Sequence, residues 1–82
     1  MQKRTTSINI NDKPYRFEYW YQASALTVYS GTVFTEPEID FNFPVDGNGV
    51  IQVDDRTARK QLFYSLLAVI QDNEKVILKK SL

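Results

Sequence analysis

The chain contains no histidine and no cysteine, so its reactive side chains are carboxylates, cations, tyrosines and a few hydroxyls. The commonest general base and every thiolate reaction are therefore missing. Carboxylates remain the one source of acid–base chemistry. Glu36, Glu38 and Asp40 crowd around Pro37, and Asp54 adjoins Asp55. The second pair precedes a helical pattern, where acids serve as N-caps and complement the helix dipole. The first set reads as a solvated loop. No nucleophile stands beside a base, and no glycine-rich phosphate cradle opens a helix. These residues predict no catalytic apparatus and no cofactor.

The letters D-G-N-G-V-I at 46–51 resemble the middle of an EF-hand calcium loop, with its turn glycine and an isoleucine two positions on. The resemblance stops at the ligands. Pro44 occupies the first ligand position, Asp55 replaces the final bidentate glutamate, and Phe41 and Phe43 predict a strand where a helix should precede. A hairpin turn accounts for the same letters, because glycine and asparagine tolerate positive φ. No metal site is expected.

Binding is the chemistry the residues favour. Residues 14–22 read P-Y-R-F-E-Y-W-Y-Q, with Tyr15, Phe17, Tyr19 and Tyr21 alternating against Arg16, Glu18, Trp20 and Gln22. A period of two is a strand with one face on a core. The aromatic set takes the core, since aromatic rings bury the largest areas. Trp20 then points to the other face. With Tyr29 as a second aromatic and Glu36, Glu38 and Asp40 as a charged rim, the pattern is that of a protein interface. An acidic face can also imitate the phosphate track of nucleic acid, the strategy of small phage-type inhibitors, and by that analogy alone an inhibitor or adaptor is expected. A homodimer burying the same patch is a further expectation. The alternative is a nucleic-acid module in which Trp20 and Tyr29 stack on bases while Arg16, Arg56, Arg59 and Lys60 hold phosphates.

Charge is blocked along the chain. Between Phe17 and Asp55 lie Glu18, Glu36, Glu38, Asp40, Asp46, Asp54 and Asp55 with no cation, while all ten cations fall outside. Such blocks create opposed surface fields unless the strands interleave them in space.

The elements that must position these groups are an antiparallel meander of four or five strands and one amphipathic helix, an α+β fold. Residues 1–4 are expected to fray. Strands are predicted over 5–10, 14–22, 25–35, 39–43 and 50–53, with a bulge at Ser30-Gly31. Ala58, Leu62, Leu66 and Ile70 step by four, joined by Phe63, Leu67 and Val69, and predict a helix from 56 to about 71. Asp72-Asn73 should stop it. Residues 74–80 are read as a short last strand. Eighty-two residues make one small domain. No run is apolar enough for a signal-peptide core or a membrane span, and the absence of cysteine suits a reducing compartment, so a cytoplasmic protein is expected.

Overall fold

The structure, a computed structural model, describes residues 1–25, 27–53 and 56–78. Four strands, β1 (Gln2–Ile10), β2 (Lys13–Gln22), β3 (Thr27–Val33) and β4 (Ile39–Asn42), form one antiparallel sheet in chain order. A 3-10 turn, Ala23–Ala25, joins β2 to β3, and one helix, α1 (Lys60–Glu74), packs on one face. The fold is the expected α+β meander, with four strands. No described helix is long and apolar enough to cross a membrane.

The β1–β2 turn is set by Asn11 and Asp12, with φ of 51° and 65°. Positive φ at both central residues is the I′ geometry that matches strand twist in a two-residue hairpin. Ile10 and Lys13 flank this turn and therefore exchange the closing hydrogen bonds, which makes the next pair, Asn9 with Pro14, a non-hydrogen-bonded one. Pro14 sits where β1 asks for no donor, and β3 pairs with β2 only from Phe17 onward. That is how a proline is tolerated in a central strand. Register runs unbroken from Gln2 opposite Tyr21 to Ile10 opposite Lys13. Residues 2–4, expected to fray, are thus part of the sheet.

Between β2 and β3 the register shifts. Tyr19 faces Gly31 and Tyr21 faces Val28, so Tyr29 and Ser30 together oppose Trp20. The sequence predicts a bulge at Ser30-Gly31; it lies one residue earlier, at Tyr29-Ser30, with Gly31 regularly paired to Tyr19, and it resets the strand's parity. Val28 and Val33, five residues apart, both enter the core, while Phe34 is exposed. Gly31 lies opposite Phe41, and a Cβ there would collide with the Phe41 ring and the Glu18 carbonyl. The glycine is required by that close approach.

The strand expected at 50–53 is reduced to one bridge, Val45 with Ile51. Asp46 closes its turn: one carboxylate oxygen accepts from the Asn48 and Val50 amides at 2.8 and 3.0 Å. The other accepts from Gln52 Nε2 at 3.3 Å. The aspartate that suggested a calcium ligand thus serves as an Asx-type turn clamp.

The helix begins four residues later than expected. Arg56 to Arg59 form turns, with Thr57 Oγ1 accepting the Arg59 amide at 3.2 Å and Arg59 at the N-cap without a side-chain cap. Asp54 and Asp55, the expected caps, lie outside the described residues. Ala58 is consequently exposed instead of joining the stripe. Leu66, Leu67 and Ile70 carry the burial, with Leu62, Phe63 and Val69 at its margin. The helix passes through Asp72-Asn73 and ends when Lys75 turns left-handed at φ 57°. The Lys75 and Val76 amides then bond the Asp72 and Gln71 carbonyls, a Schellman motif. Residues 75–78 form no strand: Leu78 drops into the core, its amide donating to Gln71 Oε1 at 3.0 Å. The rest of the expected last strand, 79–80, lies outside the described residues.

Candidate functional site

Trp20 is 42% exposed, whereas its neighbours Tyr19 and Tyr21 are buried. The face it occupies is the one without a helix. Register places Lys3 beside it on β1, and Thr5, Glu18, Thr32 and Asp40 form the next row across the four strands. The bulge brings in Tyr29, whose hydroxyl donates to Gln22 Oε1 at 3.1 Å and so lies on this same face. Without the extra residue, Tyr29 would share the inward parity of Val33. Trp20 and Tyr29 are therefore juxtaposed by an irregularity of the sheet.

Lys3 organises the surroundings of Trp20. Its Nζ stands 5.8 Å from the indole centroid and 3.5 Å from Glu18 Oε2. The ammonium is shared between a ring face and a carboxylate, each a modest attraction at an exposed position. Asp40 accepts a 2.9 Å hydrogen bond from Thr32 Oγ1, which fixes its carboxylate on the sheet surface. The site is a flat aromatic patch edged by both signs of charge.

Of the expected rim, only Asp40 lies on this face beside Trp20's row. Glu36 and Glu38 are exposed in the β3–β4 connection, at the end of the sheet where the Phe34 amide bonds the Arg16 carbonyl. Arg16 shares the parity of Trp20 and is exposed on the open face. Arg59 and Lys60 stand at the start of α1, on the opposite side of the sheet, with Arg56 in the turns before them. The four cations of the nucleic-acid constellation are thus not assembled: the sheet separates Arg16 from the helix start. Lys3 from the cation-bearing end of the chain pairs with Glu18 of the acidic block, whereas Arg4 pairs with Glu74, an acid outside that block.

A second polar cluster was not foreseen. On the covered face, the Tyr19 hydroxyl donates to Glu74 Oε2 and accepts from Asn73 Nδ2 at 2.7 Å. Arg4 Nε lies 3.1 Å from the same Glu74 oxygen, and its guanidinium sits 5.9 Å from the Tyr21 ring centroid. Glu74 is 8% exposed, in the last helical turn where an acid opposes the dipole. Arg4 and Tyr19 compensate it. Burial first, and then the Glu74 carboxylate, push the Tyr19 phenol up to about 12 and the Tyr21 phenol upward as well. Both stay protonated at neutral pH. The cluster pins the helix end to β1 and β2: the Tyr19 hydroxyl is satisfied by Glu74 and Asn73, while the buried Arg4 Nε has an ion-pair contact with Glu74 but no hydrogen bond. A buried tyrosine needs a hydroxyl partner, which was the signal available; which residues would provide it depends on pairing between residues over fifty positions apart.

Among the described residues no three acidic side chains converge as metal ligands would. No protein-family model, curated protein or solved structure matches the chain.

Proposed function

We propose that the chain is a non-enzymatic protein-binding module whose contact surface is the open sheet face around Trp20 and Tyr29. One observation carries this reading. The only tryptophan of the sequence lies exposed in a central strand, on the face that no helix covers. Tryptophan and tyrosine dominate interface hot spots because they bury much area at small conformational cost. Tyr29 stands next to it, already oriented by Gln22. Lys3, Glu18 and Asp40 supply a polar rim of mixed sign, which suits a protein surface with matching charges. The pairing of Glu18 with Lys3 and the displacement of Glu36 and Glu38 give mimicry of a phosphate track less support. The separation of Arg16 from the helix-start cations does the same for nucleic-acid binding.

The test is a binding assay against the protein captured from native host extract. Trp20→Ala should weaken that complex by about 2 kcal/mol or more, roughly thirtyfold, while the variant stays folded. An affinity equal to the parent's would reject the site.

A further inference from the structure

The sheet has two edges, and they are not alike. β4 spans only Ile39–Asn42 and is bracketed by Pro37 and Pro44. Shortness and proline are how sheets blunt an edge. β1 has neither protection. It runs nine residues without proline, and nothing interrupts its register with β2. Its far side is unpaired among the described residues.

Hairpin geometry fixes which groups that edge offers. Because Ile10 and Lys13 exchange hydrogen bonds across the two-residue turn, the even positions of β1 direct their backbone groups to β2. The odd positions, Lys3, Thr5, Ser7 and Asn9, direct theirs outward. We infer that this edge pairs antiparallel with β1 of a second copy about a two-fold axis through Thr6, joining the two sheets into one.

The strand is self-complementary in that register. Gln2 faces Ile10, Lys3 faces Asn9, Arg4 faces Ile8 and Thr5 faces Ser7. Full overlap of Gln2–Ile10 requires this alignment, and it places the outward-directed odd residues opposite one another, as the ladder needs. The two cations of each strand, Lys3 and Arg4, meet the uncharged residues Asn9 and Ile8 of the other copy. Like charges therefore never face each other, which is the arrangement cross-strand pairing favours. Lys3 gains the Asn9 amide as a neighbour, and Thr5 opposite Ser7 forms a hydroxyl pair on the same face. A heterologous peptide would have to match this pattern by chance; a second β1 matches it by symmetry. This edge is a different surface from the open face, and the inference does not depend on the reading of Trp20.

The chain has no cysteine, so a single introduced thiol reports the register directly. Thr6 would face its own symmetry mate as a non-hydrogen-bonded pair, about 4.5 Å between Cα atoms, within disulfide reach. Asn9 would lie roughly 20 Å from its mate. Thr6→Cys should therefore cross-link into a dimer under mild oxidation and Asn9→Cys should not. Sedimentation of the parent should show a concentration-dependent dimer. Ser7→Pro removes one outward donor without touching β2, so it should give a monomer with nearly the parent's melting temperature. The inference is overturned if Thr6→Cys cross-links no faster than Asn9→Cys, or if the parent stays monomeric at millimolar concentration. A dimer that survives Ser7→Pro but is lost in Trp20→Ala would also overturn it and would place the contact on the open face.

Discussion

On the helix-covered side of the sheet, Phe17, Tyr19, Val33 and Phe41 are sealed beneath Leu66, Leu67 and Ile70. On the other side the same strands present Lys3, Glu18, Trp20 and Asp40. The covered side is a chain of touching rings: Phe17 lies 5.7 Å from Tyr19 and 6.2 Å from Phe41, which continues at 5.4 Å to Phe43 and from there at 5.9 Å to Phe63. Offset and edge-on contacts of this kind add to area burial. The open side has Trp20 and Tyr29 among charged and polar residues held by single hydrogen bonds and one ion pair, with Phe34 exposed beside Arg16 at its end. Identical backbone register thus supports a face that holds the domain together and a face that stability does not explain. The difference is what the proposed binding role rests on: Trp20 is a large aromatic left exposed on the face that the helix does not cover.

That contrast can be broken by mutation. The largest effect should come from the covered side, where Leu66 is fully buried. Leu66→Ala should cost about 2–5 kcal/mol of unfolding free energy, from lost transfer plus the cavity left behind. Denaturant melts will measure it, and a loss below about 1 kcal/mol would mean the helix is phased differently. Next is Gly31→Ala, which forces a methyl group against Phe41 and the Glu18 carbonyl. Overpacking of this kind costs about 1–3 kcal/mol; a neutral result would show that the Phe41 ring is not held across the glycine.

The polar cluster sharpens the comparison through pH. The folded-state pKa of Tyr19 is raised from 10.0 to about 12. A raised folded value means stability that is complete below pH 10 and declines as pH climbs toward 12, because the unfolded chain loses its proton first. Thermal melts across this window should fall for the parent and fall less for Tyr19→Phe, although that variant starts lower from leaving Glu74 and Asn73 without their hydroxyl partner. Identical slopes would remove Tyr19 from the account. The smallest effect belongs to the open face: Trp20→Ala should alter stability by no more than about 1 kcal/mol, as surface substitutions do. A loss matching Leu66→Ala would put Trp20 in the core.

What could be read ahead of the structure was whatever depends on short-range periodicity. The alternation over 14–22 placed Trp20 on the open face, the four-residue steps of α1 placed Leu66 and Ile70 in the core, and D-G-N-G marked a turn. What escaped was settled by partners distant in sequence. The helix runs past Asp72-Asn73 because Asn73 and Glu74 bond Tyr19 and Arg4, so cap preference yields to tertiary contacts. The start of β1 is ordered by its pairing with β2, down to Gln2. The acidic rim was drawn from adjacency along the chain, but the β3–β4 connection carries Glu36 and Glu38 away from Trp20's row while register brings in Glu18 and Lys3. Glycine at position 31 marked a bulge one residue too late; its true place, with Tyr29 and Ser30 both opposite Trp20, needs the β2–β3 register.

The central claim is that Trp20 is exposed in the free chain and covered by a partner when the protein works. As the only tryptophan, it reports on itself. Iodide quenching of its fluorescence, measured on the free chain and on the complex with the captured protein, tests this most directly with a partner lacking tryptophan or carrying a non-fluorescent analogue. The account predicts red-shifted, readily quenched emission in the free chain and a blue-shifted, protected signal in the complex. Emission already protected in the free chain, or equally accessible in both states, would contradict it.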